Sequence, residues 1–286
     1  MIRKGVNRLV GITQSRIARR NAYKKQTLVL ANNWDGSVQQ FYHFLLGYLM
    51  PLSLWLDRNP SAQVLVRDCG PMNIWLDAIG RNTSLQTIPT GSALHVVVGN
   101  RMKHTVLQGL DDPAKFKNRT LVKGADSIQM RLGMGPSLSS KEPAILVIDR
   151  ATSEDFYHQH GSETEMSGKE RRHVPNLKHL PDVYSGVISM KVVDLARLSP
   201  HQQIQVAKES STLIGQHGAG LAHMLWMAPG SHIIEIAPPL PTQVQDIFSL
   251  LAKKLGHSYT RIPQQGVHAE VDLGLILQFL ESAKSN

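Results

Sequence analysis

The sequence predicts an α/β protein made of two Rossmann-like units, each a parallel sheet covered by helices, facing one another across a cleft. Three observations carry this. Short apolar runs of strand length alternate with segments of helical periodicity through the whole chain. The apolar runs are continuous rather than alternating, as in strands buried on both faces. A Gly/Ser/Pro-rich stretch, Gly133-Met-Gly-Pro-Ser-Leu-Ser-Ser140, falls near the middle with the composition of a linker. The predicted organisation is a basic segment over 1–26, a first unit over 27–140 and a second over 141–286.

In the first unit, Thr27-Leu-Val-Leu-Ala-Asn32 reads as a buried strand and Asn33-Trp-Asp-Gly36 as a turn. Val38, Phe41, Leu45, Leu49, Leu52 and Leu56 then recur at helical spacing, with Pro51 kinking the helix. Gln63–Val66 is a strand, Pro71–Ile79 a helix opened by proline, and Leu94–Val98 another strand. Arg101–Leu121 reads as irregular and Ala125–Leu132 as a helix.

The second unit opens with the strand Ala144–Ile148, which ends in Asp149-Arg150, followed by a polar, histidine-bearing loop over Thr152–Glu170. Strands are predicted at Val187–Val193, Thr212–Gly215, His232–Ile236 and, at an edge, Ser258–Ile262. Helices are predicted at Ser199–Lys208, Thr242–Leu255 and Val271–Leu280.

The chain has 286 residues, enough for one large or two modest cores. One cysteine, Cys69, excludes an internal disulfide framework. The longest apolar window, around Phe41–Leu56, is interrupted by polar residues, Gly47 and Pro51, and does not read as a membrane span. The basic start lacks a signal-peptide core, and the compartment stays open. The formal charge of +9 concentrates in the first 25 positions and at Lys169–His173, with no interleaved aromatic residues. It therefore reads as a solubilising tail, or one touching an anionic membrane surface, and as a balance suited to anionic small ligands. It does not read as a nucleic-acid module.

The segment with most chemistry is Gly215-Gln-His217-Gly218-Ala219-Gly220-Leu221, between two apolar runs, with Glu235 ending the second. Glycines admit a ligand close to the backbone, and a helix start offers unpaired N–H groups to phosphate. The spacing is neither a Walker loop nor the dinucleotide fingerprint. Read plainly, it is either a phosphate cradle or a tight strand-to-helix turn. Glu235 sits where an acid accepts bonds from ribose hydroxyls. His158, His160, His173 and His179 have spacings that match no standard metal site, so no metal is expected. Of the tryptophans, Trp75, Trp55 and Trp226 read as core and Trp34 as core or a sugar-stacking ring. Asn82-Thr-Ser84 and Asn118-Arg-Thr120 are glycosylation sequons.

Leu198-Ser-Pro-His-Gln-Gln-Ile, His217-Gly-Ala-Gly-Leu and Pro229-Gly-Ser-His-Ile-Ile-Glu235 together resemble the signature of glycosyltransferase family 61. The likeness extends through Ile148-Asp-Arg150 and Arg172-His-Val-Pro-Asn176, and in the first half to Phe41-Tyr-His43-Phe-Leu-Leu. The resemblance implies a GT-B fold and an inverting transfer of a GlcNAc- or xylose-like sugar from a UDP-sugar to a glycan or glycoprotein hydroxyl. It implies donor contacts at Arg150, Arg172, Asn176, His217, Gly218, Ala219, Gly220, Leu221 and Glu235, with the UDP-sugar as co-substrate and no other cofactor. In the family an acid usually follows the helix histidine by one turn; here that position is Gly47. The candidates for the base are thus His43, which also reads as a core histidine, and Asp35. Two other readings stand beside transfer: a binding-only member of the family, suggested by Gly47, and a dinucleotide-dependent oxidoreductase.

Overall fold

The structure, a computed structural model, describes residues 26–81, 85–88, 103–135, 144–150, 152–158 and 167–282. The basic segment up to residue 25, the predicted strand Leu94–Val98, the linker from residue 136, His160 and the Asn82 sequon lie outside them.

The first sheet comprises β1 (Thr27–Asn32), β2 (Val64–Arg67), β3 (Leu85–Ile88) and β4 (Lys103–Gln108), all parallel, in the order β3-β2-β1-β4. The second comprises β5 (Ala144–Ile148), β6 (Met190–Val193), β7 (Ser210–Gln216), β8 (His232–Ala237) and β9 (Ser258–Pro263), also parallel, in the order β6-β5-β7-β8-β9. Both the α/β class and the parallel pairing agree with the sequence. In each sheet the order reverses beside its first strand, between β1 and β4 in one and between β5 and β7 in the other. Ligands of open parallel sheets bind at the carboxyl ends of the strands that flank such a reversal.

The region read as irregular contains β4, whose outward residues alternate in exposure as at a sheet edge. It also contains the first turns of a helix that spans Asn118–Arg131, longer than predicted. The predicted helix Thr242–Leu255 is broken: Thr242–Gln245 and Ile247–Leu255 flank Asp246, which has a non-helical backbone. Ser199 caps the helix Pro200–Lys208 in a capping box with Gln202.

The helix after β1 consists of α1 (Phe41–Phe44), a π turn (Leu45–Leu49) and α2 (Met50–Arg58). Pro51 explains the π turn. It has no N–H to give the carbonyl four residues back, and its ring crowds that carbonyl, so the preceding turn widens. Met50 N–H accordingly bonds Leu45 O, five residues back.

The two units share a core. One apolar cluster runs from Val29, Leu46 and Trp75 through to Leu146, Leu213 and Trp226. Trp75 stacks on Trp226 with ring centroids 5.6 Å apart, and Phe41 stacks on His223 at 4.7 Å. The Tyr157 hydroxyl donates to Gln39 O at 2.7 Å, and Phe156 packs on Gly70, where any side chain would overlap its ring. Among the described residues no helix is long and apolar enough to cross a membrane.

Candidate active site

Arg150 follows β5 and His217 follows β7, so the reversal in the second sheet brings them together. Nη2 of Arg150 donates to His217 O at 2.7 Å, and Nη1 of Arg172 donates to the same carbonyl at 3.1 Å. Neither guanidinium has a carboxylate within ion-pair distance among the described residues. Burial, then the charges of Arg172 and Arg171, pull Arg150 down to about 9; burial, then Arg171, takes Arg172 to about 10. Both remain cationic at neutral pH. Three arginines crowded together, with no acid in ion-pair contact among the described residues, form a site that an anion would relieve.

Gly218 is glycine for a spatial reason. Its backbone is extended, which any residue tolerates, but a Cβ there would overlap Nη2 of Arg150. The turn continues into a 3-10 helix, Ala219–Trp226, whose first internal bond runs from Leu221 N–H to Gly218 O. The Leu221 side chain is fully buried beneath Gly215, so this residue packs the turn rather than meeting a ligand. A cavity of about 240 Å³ opens here between the units. Arg150, Arg172, Gly218, Ala219 and Gly220 wall one side, and Gln40, Phe41, Pro71 and Met72 the other.

Two expected contacts are corrected. Glu235 is fully buried, and both its oxygens are engaged: Oε1 with His217 Nδ1 at 2.5 Å, Oε2 by the Tyr259 hydroxyl at 2.5 Å. Its burial keeps it from a ribose; instead it fixes the His217 ring, with Nδ1 as the donor because a carboxylate accepts only. The His217 ring is itself nearly buried and held low by desolvation. Asn176 is likewise spent, with its amide exchanging both bonds with the Val271 backbone, at 2.8 and 3.2 Å, away from the cavity. The acids that do face the cavity are Asp149, Glu154 and Asp194.

On the first unit, His43 Nδ1 lies 2.9 Å from Oδ2 of Asp111, a residue the sequence reading did not single out. Asp111 is fully buried and lies just past β4, at the reversal of the first sheet. The Gly36 backbone lies over the Nε2 edge of His43, where a Cβ would overlap Nε2, and His43 is not among the residues lining the cavity beside Arg150. Asp35 is exposed, sits in the left-handed region at φ 28°, and lines a separate cavity of about 160 Å³; no hydrogen bond joins it to His43. Of the two candidate bases, only His43 is built into a network. The two fastened imidazoles are linked by aromatic rings: His217 meets Phe248 at 5.0 Å, Phe248 meets Tyr42 at 5.8 Å, and Tyr42 meets His43 at 5.1 Å.

Just beyond the polar loop, His173 Nε2 lies 3.6 Å from Asp149 and His179 Nδ1 lies 3.2 Å from Asp182. Among the described residues no three His, Cys, Asp or Glu side chains gather as a metal site. Asn118 of the second sequon opens its helix and donates to Lys254 O at 2.6 Å.

The family model of glycosyltransferase 61 matches residues 41–234, from the His43 helix into β8, one residue short of Glu235. The chain belongs to the glycosyltransferase 61 family. No curated protein matches it. Among solved structures it is similar to TibC, a bacterial iron-containing dodecameric glycosyltransferase from enterotoxigenic E. coli H10407, at 10% identity and a TM-score of 0.30, covering 75% of this chain and 58% of that one. A dodecameric iron-containing heptosyltransferase TibC in complex with ADP-D-beta-D-heptose is similar at 12% identity and a TM-score of 0.32, over 84% and 63%. The chain thus spans about three-fifths of the length of those structures.

Proposed function

We propose that this family 61 member is an inverting glycosyltransferase of GT-B arrangement, which moves a GlcNAc- or xylose-like sugar from a UDP-sugar to a glycan or glycoprotein hydroxyl. The observation that carries the reading is the convergence of Arg150 and Arg172, without acid partners, on the His217 carbonyl beside Gly218. The donor diphosphate lies there, against the guanidiniums and the first N–H groups of Ala219–Trp226. Glu154 is the acid for the donor's hydroxyls; Asp194 beside it already accepts from Ala196 N–H and pairs with Arg197.

In the reaction the acceptor O–H gives its proton to Nε2 of His43 while its oxygen attacks the anomeric carbon from the face opposite the phosphate. The bond from that carbon to the phosphate oxygen breaks, and its electron pair leaves with the nucleoside diphosphate. Arg150 and Arg172 stabilise the charge that builds on the leaving group, the role an oxyanion site plays elsewhere, and the charge balance is assigned to them rather than to a cofactor. His43 contributes as a general base held in place before the reaction.

A binding-only member is the second reading, favoured by the missing acid at Gly47. Calorimetry with UDP, GDP, CMP and NAD, followed by mass spectrometry of UDP-sugars incubated with an acceptor panel, separates the readings. UDP binding with release of UDP from a UDP-sugar supports transfer, UDP binding without any turnover supports the second reading, and NAD binding without any nucleoside diphosphate defeats both. Arg150→Ala should weaken UDP binding about 10- to 150-fold, the equivalent of losing a charge-assisted contact of about 1.5–3 kcal/mol.

A further inference from the structure

We infer that Asp111 is the positioning residue of His43, and that Gly47 is glycine because the Asn33 amide, with the Asp111 carboxylate beside it, fills the space its side chain would take. The inference rests on the proposed role of His43 but not on the identity of donor or acceptor.

The chain of causes begins at Pro51. The π turn it imposes sends Met50 N–H to Leu45 O and so releases the carbonyl of Leu46 from the helix. Leu110 N–H takes that carbonyl at 2.9 Å, which ties the loop after β4 to the helix one residue before Asp111. Gly109 N–H bonds Asn32 O at 2.9 Å, and the Tyr42 hydroxyl donates to Asp111 O at 2.8 Å. A Cβ on Gly109 would overlap Asn32 O and come within 2.8 Å of Asp111 Oδ1, so this loop too is shaped around the carboxylate.

The side chain then has one place to go. A Cβ on Gly47 would overlap the Asn33 amide, 2.6 Å from Nδ2, and press on Asp111 Oδ2 at 3.0 Å, so a side chain at residue 47 would displace Asn33 and crowd the carboxylate. Asp111 accepts from Trp34 N–H at 3.0 and 3.1 Å and from His43 Nδ1 at 2.9 Å. Because a carboxylate only accepts, the imidazole proton is placed on Nδ1, and Nε2 is left with its lone pair. An acid reaching in from the β4 loop therefore stands next to the position, one turn after the histidine, where the helix itself has none.

The test is selective ¹⁵N labelling of histidine, read by NMR, combined with initial rates on whichever UDP-sugar the chain turns over. Wild-type His43 should carry its proton on Nδ1, the signal being assigned from its loss in His43→Gln. In Asp111→Asn the Trp34 N–H holds the amide oxygen and the NH₂ faces the ring, so the proton should move to Nε2. Turnover should fall by about 100-fold or more while UDP affinity stays within about twofold. A wild-type proton on Nε2 overturns the inference, as does an Asp111→Asn variant with wild-type turnover. A chain that turns over no UDP-sugar defeats the transferase reading, and the wild-type proton position still decides the pairing.

Discussion

Gly218→Ala isolates the donor site from the fold. The Gly218 backbone is at φ 160° and ψ 177°, open to alanine, so the substitution adds no backbone strain. Its Cβ would overlap Nη2 of Arg150, approach Cζ to 3.0 Å and Nη1 to 3.4 Å, and drive the guanidinium out of place. What is lost is the 2.7 Å bond to His217 O and, with it, one arginine's contact to a bound diphosphate. A charge-assisted hydrogen bond contributes about 1.5–3 kcal/mol, so the UDP dissociation constant should rise about 10- to 150-fold. Folding should hardly notice. The displaced group is the end of a flexible side chain, and it leaves a spot where burial and two neighbouring arginines oppose its charge. The melting temperature should therefore shift by less than the roughly 2–4 °C that a 1 kcal/mol loss produces in a protein of this size. Calorimetry on Gly218→Ala, Arg150→Ala and the double variant forms a cycle. The second substitution should add almost nothing to the first, since both remove the same contact. Wild-type affinity in Gly218→Ala, or a further loss when it is added to Arg150→Ala, would refute the reasoning.

Other expectations follow from the same geometry. Glu235→Ala leaves His217 and Tyr259 without their buried acceptor and should cost about 3–5 kcal/mol in urea denaturation; an unchanged midpoint would show that the network is dispensable. Tyr157→Phe removes the bond to Gln39 O across the two units and should cost about 0.5–1.5 kcal/mol, visible as a lower melting temperature. Burial lowers His173, His217, His223, His232 and His257 from the usual 6.5, His223 to about 4. Below pH 6.5 the unfolded chain binds protons that the folded one refuses, so stability should fall as pH drops from 6.5 towards 4. His223, held neutral across that window, contributes up to about 1.4 kcal/mol per pH unit, and the other four add in the same direction. Denaturation midpoints that stay level from pH 7 to pH 5 would contradict these burials.

The second unit was largely legible because its strands are continuous apolar runs punctuated by Gly and Pro, and the turn at the centre of its site is one short glycine-rich segment. His217 and Gly218 could be read beside Arg150 because the strands they follow are neighbours in a parallel sheet. The parts that escaped have physical reasons. β4 is an edge strand with polar residues on its outer side, so no apolar run announces it. Glu235 and Asn176 have the residue types of ligand contacts, and only the packing shows their polar atoms already taken by Tyr259, His217 and Val271. Asp111 meets His43 across a separation of 68 residues, beyond any local pattern. Its one trace in the sequence is negative: a glycine at position 47, which read alone suggested a missing acid and read in space marks where one enters.

The central claim is sugar transfer through His43, with the leaving diphosphate on Arg150 and Arg172. The most direct measurement is the rate of UDP release from a UDP-sugar in the presence of acceptor, for wild type and His43→Ala at equal UDP occupancy. The account predicts turnover in wild type and a loss of about 100-fold or more in His43→Ala, with binding of UDP unchanged. Equal rates in the two proteins would contradict it.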